Sequence, residues 1–244
     1  MSQTDARAAL LALERELPPN AVTLPSGFAD AAERFVGLLL DANRRVNLTR
    51  VVEPEPVARL HLLDSLAALP LIDAIAPRRA LDLGSGGGVP GLVLALARPE
   101  VSWTLVDSVR KKADALRSFA AALGLSNVEV LAERAEVVGR DPQHRESYDL
   151  VTARACAALP VLAEYALPLV ALGGSLLAWK GRLSDEELKA GTDAGRLLGG
   201  GAPVVHPTGF EALGEHRFVV VPKSSRTPTA YPRRAGEPPR RPLA

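Results

Sequence analysis

The sequence predicts an α/β fold: a mostly parallel sheet with helices on both faces, preceded by helices and followed by a basic tail. Three observations predict it. Between residues 79 and 222, short apolar runs alternate with segments of helical length, the pattern of a parallel sheet covered on both sides. The first run, Arg79 to Leu83, passes directly into the glycine loop Gly84-Ser85-Gly86-Gly87-Gly88. The second ends in a carboxylate, Asp107. The sequence divides into a helical cap (1–75), the α/β domain (76–222) and a Pro/Arg-rich tail (223–244).

The cap is read from three segments. Asp5 to Leu17 is rich in Ala, Leu, Glu and Arg, and Pro18-Pro19-Asn20 breaks it. Ser26 is placed to cap a second helix, whose Phe28, Phe35, Val36, Leu38 and Leu39 follow helical spacing. Pro56 suits the first turn of a third helix, running to about Leu69 before Pro70.

In the α/β domain the expected strands are Arg79 to Leu83, Ser102 to Val106, Val128 to Leu131, Tyr148 to Ala153 and Ser175 to Trp179. Pro203 to His206 and His216 to Val221 complete the sheet. Helices are expected over Pro90 to Ala97, Val109 to Leu123, Leu159 to Leu172 (stopped by Gly173-Gly174) and Ser184 to Leu198. Ser184 and Glu187 form a capping-box pair. In the tail Lys223, Arg226, Arg233, Arg234, Arg240 and Arg241 face one acid, Glu237. Such a stretch builds no core and is expected to be extended.

Bulk properties bound the function. The chain has 244 residues, 47% hydrophobic and 23% charged, so a packed core is expected. The formal net charge of +1 does not mark a nucleic-acid binder, and any basic surface must come from uneven distribution. One cysteine, Cys156, excludes an internal disulfide and a multi-thiolate metal cluster. No signal-peptide core or membrane-length apolar run is visible. The expectation is a cytoplasmic protein with no membrane association and no metal. Cys156 is expected to be a buried small residue, and His144, His206 and His216 surface or packing residues.

A strand feeding a glycine loop and a helix builds a ligand crevice at the carboxyl edge of the sheet. Gly84 and Gly86 let a ligand approach the backbone closely. Gly86-Gly87-Gly88-Val89-Pro90-Gly91 also fits the dinucleotide pattern, with Asp107 about 20 residues on, so a nicotinamide-dependent oxidoreductase is a rival. Asp82 argues against it, because a carboxylate before the loop suits the cationic amino group of a methionine moiety and repels a pyrophosphate. Pro90 also removes a backbone donor where a pyrophosphate would be anchored. The pattern favours S-adenosylmethionine as cofactor. Asp107 would accept from the ribose hydroxyls, a bond worth roughly 1.5–3 kcal/mol.

A wider set of residues carries a family resemblance. Asn47-Leu48-Thr49, Arg59-Leu60-His61-Leu62-Leu63-Asp64-Ser65 and the loop from Asp82 to Gly91 resemble the bacterial ribosomal RNA small-subunit methyltransferase G family, also called glucose-inhibited division protein B. Further matches are Leu105-Val106-Asp107-Ser108, Arg134-Ala135-Glu136, Ala153-Arg154-Ala155, Lys180-Gly181, Arg217 to Val221 and Ala230-Tyr231-Pro232-Arg233-Arg234. The resemblance covers roughly residues 35 to 244.

It implies a class I S-adenosylmethionine-dependent methyltransferase fold, Rossmann-like and seven-stranded, with an N-terminal helical cap. It implies methylation of N7 of one guanine in the decoding-region loop of 16S ribosomal RNA. It also implies cofactor contacts at Gly84, Val89, Asp107, Ser108, Val109, Ala135, Glu136 and Arg154, with Glu136 accepting from the adenine amine. One departure is Gly87, where many members carry another residue; the extra glycine is expected to loosen the loop.

Guanine N7 carries an in-plane lone pair, so methylation there needs no proton abstraction, and no nucleophile–base arrangement stands out. Candidate catalytic residues are His61 and Asp64, one helical turn apart, and Arg154 and Lys180, at strand ends beside the crevice. His61 is expected to be held by Asp64. The basic tail, with Arg44, Arg45 and Arg50, is expected to meet the phosphates of 16S rRNA in the small ribosomal subunit, and the protein to be a monomer. The same residues would also suit a noncatalytic RNA-binding assembly factor or a small-molecule methyltransferase.

Overall fold

The computed structural model describes residues 22–243, together with Ala8, Leu11 and Arg15. The expected first helix and the Pro18-Pro19-Asn20 break therefore lie outside the described residues, except for those three positions.

Helix α1 (Phe28–Asn43) buries Phe28, Ala32, Phe35, Val36, Leu39 and Ala42. These positions recur every three or four residues and form one apolar stripe. Its cap differs from expectation. Gly27, at φ 79°, precedes the helix, and no side chain bonds to its first turn. Next comes α2, a continuous segment made of Pro54–Val57, a π-helical stretch Ala58–Leu63 and Asp64–Leu66. It stops short of Leu69. Pro70 instead lies in the first turn of α3 (Leu69–Ile75), where the missing N–H costs nothing.

The sheet has seven strands in the order β3-β2-β1-β4-β5-β7-β6. They are β1 (Arg79–Leu83), β2 (Ser102–Val106), β3 (Val128–Leu131), β4 (Tyr148–Arg154), β5 (Val170–Lys180), β6 (Val204–Pro207) and β7 (Arg217–Pro222). Pairing is parallel from β3 to β5, and β7 is antiparallel to both β5 and β6. The connecting helices are α4 (Gly91–Ala97), α5 (Arg110–Leu123), α6 (Ala135–Val138), α7 (Leu159–Ala166) and α8 (Asp185–Leu197). Successive side chains of a strand point to opposite faces. Accordingly Trp103, Leu105, Leu150 and Leu177 join a core with α1 to α5, while Leu81, Val106, Val151 and Leu176 join a second core under α7 and α8.

Three local expectations change. Helix α7 ends at Ala166 rather than at Leu172. Leu167 still has helical backbone as the C-cap, but Pro168 has no N–H to carry the helix further, and Val170 to Leu172 enter β5. At α8 the Ser184 hydroxyl accepts from the Glu187 N–H at 3.2 Å, but the return arm of the box is absent. The Glu187 carboxylate accepts from the Leu159 N–H at 2.8 Å and pairs with Lys180 at 2.6 Å.

The third change is the C-terminal segment, which lies on the body rather than extending from it. Lys223 is 2% exposed and donates to the carbonyls of Leu167 and Leu198 and to Thr227. Arg145 donates to the carbonyls of Thr227, Pro228 and Tyr231. A sequence without a core of its own can still lie against an existing one when buried polar groups on that surface need partners.

Candidate active site

The register of the sheet sets up the site. Leu83 lies between Val106 on β2 and Ala153 on β4. The next residue of each strand is therefore Gly84, Asp107 or Arg154, and all three come to the carboxyl edge side by side. Chain order reverses between β1 and β4, the switch point where open α/β sheets form their crevice.

Gly84, Gly86 and Gly88 all have positive φ, at 70°, 55° and 89°, a region closed to most side chains. The Gly84 and Ser85 N–H groups both donate to the Val106 carbonyl. The Gly86 N–H donates to Asp107 Oδ2 at 2.9 Å, and Asp107 Oδ1 accepts from the Val109 N–H at 2.8 Å. Asp107 thus locks the loop to the start of α5. Gly87 serves the cap rather than loosening the loop. A Cβ there would meet Leu39 Cδ1 at 2.8 Å and Leu48 Cβ at 3.4 Å, so the missing side chain lets α1 approach.

Beside the loop opens a pocket lined by Leu83, Gly84, Val106, Ser108, Glu133, Arg134, Ala135, Glu136, Cys156 and Tyr165. Four of the expected cofactor residues, Gly84, Ser108, Ala135 and Glu136, meet on this wall. Val109 stands exposed nearby and Val89 is buried under the loop. The wall fits an adenosine moiety in two respects. A Cβ on Gly84 would come within 2.5 Å of Cys156 Sγ and narrow the entrance, and the Glu136 carboxylate lies at the wall as an acceptor.

Asp82 plays a different part from the one expected. It is fully buried, accepting from the Thr152 hydroxyl at 2.8 Å and the Gly91 N–H at 3.2 Å. Burial raises its pKa, against the pull of Thr152 and Ser85. It ties β1 to β4 and to the start of α4 beneath the loop, so it does not face a ligand's amino group.

The four catalytic candidates also rearrange. His61 is not held by Asp64, because the π-helical turn widens the spacing and removes the three-residue stacking of an α-helix. Instead His61 Nε2 meets the Thr49 hydroxyl at 2.9 Å, and its buried Nδ1 has no partner among the described residues. Asp64 is 1% exposed and faces Arg154 at 3.1 Å and His216 Nδ1 at 3.0 Å. Arg154 also donates to the Leu60 carbonyl, so it clamps α2 to the crevice. Lys180 pairs with Glu187 and donates to the Ala157 carbonyl, bracing the loop after β4.

Several residues of the site carry no sequence signal. His216 reaches Asp64 across 152 positions, and Thr152 is paired with Asp82 only by strand register. Cys156 is exposed on the pocket wall rather than buried. Loss of hydration and then the charges of Asp82 and Asp107 push its thiol up to about 11, which keeps it protonated and a poor nucleophile.

Comparison with known proteins decides what this crevice belongs to. Residues 29–206 match the family model of rRNA small subunit methyltransferase G. The chain belongs to that family.

Similar curated members span nearly their whole length. One from Deinococcus radiodurans is 47% identical over 211 residues, covering 86% of this chain and 83% of that protein. One from Roseiflexus sp. (strain RS-1) is 49% identical, covering 86% and 89%. One from Deinococcus deserti is 43% identical over 240 residues, covering 98% and 97%, so the likeness includes the C-terminal segment. Among solved structures, the O-methyltransferase TomG from Streptomyces achromogenes, in complex with SAM, superposes with a TM-score of 0.53 at 20% identity over 92% of this chain and all of that one. That likeness is one of fold, and it confirms the class I methyltransferase architecture. As a member of the family, the chain is a methyltransferase of small-subunit ribosomal RNA.

Proposed function

We propose that the chain transfers the methyl group of S-adenosylmethionine to N7 of a guanine in the decoding-region loop of 16S ribosomal RNA. The observation that carries the reading is the meeting of the glycine loop, Asp107 and the Ala135-Glu136 wall at the switch point of the sheet, in a member of this family. The adenine would lie on the wall of Ala135 and Glu136, and the ribose against Asp107. The methionine end would run past Gly84 and Gly86 toward Arg154. Bound there, S-adenosylmethionine supplies an electrophilic methyl group on a sulfonium.

The chain's own task is alignment and exclusion of water. Guanine N7 needs no base to prepare it, which accords with a site where His61 and Asp64 are buried. Arg154 and Asp64 hold α2 against the crevice and act as positioning residues. The target base must leave its stack or belong to a loop to reach the pocket.

Charge on the rim supports a polyanionic substrate. Arg44, Arg45 and Lys111 line a groove between α1 and α5, with Asp41 as its one carboxylate among the described residues. All three cations are exposed, as are Arg50, Arg234, Arg240 and Arg241. Lys and Arg so placed bind phosphates in a salt-sensitive way. Among the described residues no helix is long and apolar enough to cross a membrane. A ribosomal substrate makes the cytoplasm the proposed location, and nothing in the site needs a second copy, so a monomer is proposed.

The test is incubation of undermethylated small subunits with methyl-labelled S-adenosylmethionine, followed by mapping of the modified base. Label on N7 of a single guanine in the decoding-region loop is expected. Label on another atom or base, or none on any small-subunit RNA, would overturn the proposal.

A further inference from the structure

The C-terminal segment carries an inference that composition alone did not suggest. The pocket wall is built on α6, which is only four residues long and is anchored in the second core by Val138. Three contacts from residues 227–236 hold it in place. The Gly236 N–H donates to Glu136 Oε1 at 2.7 Å. Arg145 bridges the Gly139 carbonyl, just past α6, to the carbonyl of Tyr231. Pro232 packs so close to Gly139 that a Cβ there would lie 3.1 Å from its ring.

The segment is itself fixed to α7. Glu164 is fully buried and takes both the backbone N–H and the guanidinium of Arg233, at 2.8 to 3.0 Å for three of the contacts. A bidentate Arg–carboxylate pair of this kind fixes geometry as well as charge. The next residue along α7 is Tyr165, which lines the same pocket. One strap therefore spans the two elements, α6 and α7, between which the pocket opens.

From this we infer that residues 231–236 are part of the cofactor site. Gly236 and Arg233 act as positioning residues that orient Glu136, leaving its second oxygen for the exocyclic amine of adenine. The inference rests on the proposed S-adenosylmethionine site and adds a specificity element to it. The strap is thus more than an RNA-binding tail, although its outer arginines stay exposed.

The test uses the full chain and two truncations, one ending at Ala230 and one at Ala235. The second keeps the Arg233–Glu164 pair and removes the Gly236 donor together with the residues after it, so it reports even where the first fails to fold. Binding of S-adenosylmethionine is compared by calorimetry with binding of an analogue whose adenine amine is replaced by hydrogen. The Ala235 truncation is expected to weaken the natural cofactor about tenfold, the scale of one hydrogen bond to a charged group. It should weaken the analogue much less. Equal affinities in the full and truncated chains, or equal losses for cofactor and analogue, would overturn the inference. A full chain that binds neither compound would instead defeat the assignment of the cofactor site.

Discussion

His61 shows how a single residue can differ from its sequence neighbourhood. It is 4% exposed, and burial first, then the charge of Arg154, lowers its pKa from 6.5 to about 4. The fold therefore favours the neutral ring, while the unfolded chain takes up a proton as pH falls through 6.5. The resulting stability is full above pH 6.5 and is lost as pH drops toward 4, a contribution of roughly 3 kcal/mol. His61→Gln keeps a partner for Thr49 but does not titrate. Denaturant melts across this window should show the wild type losing more stability on acidification than the variant, and parallel pH profiles would contradict the account. At this scale the sequence singled out residues that the fold brings onto one wall, Gly84, Ser108, Ala135 and Glu136. Their bonding partners were hidden. Asp64 reaches Arg154 and His216 across 90 and 152 positions, distances that no local spacing encodes.

Elements were legible where pattern and punctuation agree. Strands β1, β2 and β3 match the apolar runs read from the sequence, and α5 ends at Leu123 with Gly124 in left-handed backbone behind it. Boundaries failed where a proline outweighed a later glycine, as at Pro168, or where a helix changed its winding, as in the π-helical stretch of α2. Helix α4 carries the sharpest prediction at this scale. A Cβ on Gly91 would lie 2.6 Å from both Asp82 Oδ2 and Leu105 Cδ2. Those groups are buried in the sheet and cannot yield. Gly91→Ala should cost about 1–3 kcal/mol through overpacking, seen as a lower Tm, and should disturb the loop that Asp82 supports. An unchanged Tm would show that the helix shifts without strain.

For the whole molecule, the alternation of strands and helices specified the parallel sheet, and the sheet placed the crevice. The C-terminal segment departs from the expected extended tail because composition describes what a segment can do alone. Glu164, Glu146 and Arg145 provide buried or half-buried partners that composition does not record. The cap likewise closes over the glycine loop through Leu39 and Gly87, so helices far apart in sequence share the task of forming one site.

The central claim is that this crevice holds S-adenosylmethionine with Asp107 against the ribose. Titration calorimetry of that cofactor against the full chain and its Asp107→Ala variant tests it most directly. The account predicts one site in the wild type and a Kd raised at least about tenfold in the variant, which loses a charged acceptor. Absence of binding to the wild type, or equal affinity in both proteins, would contradict it.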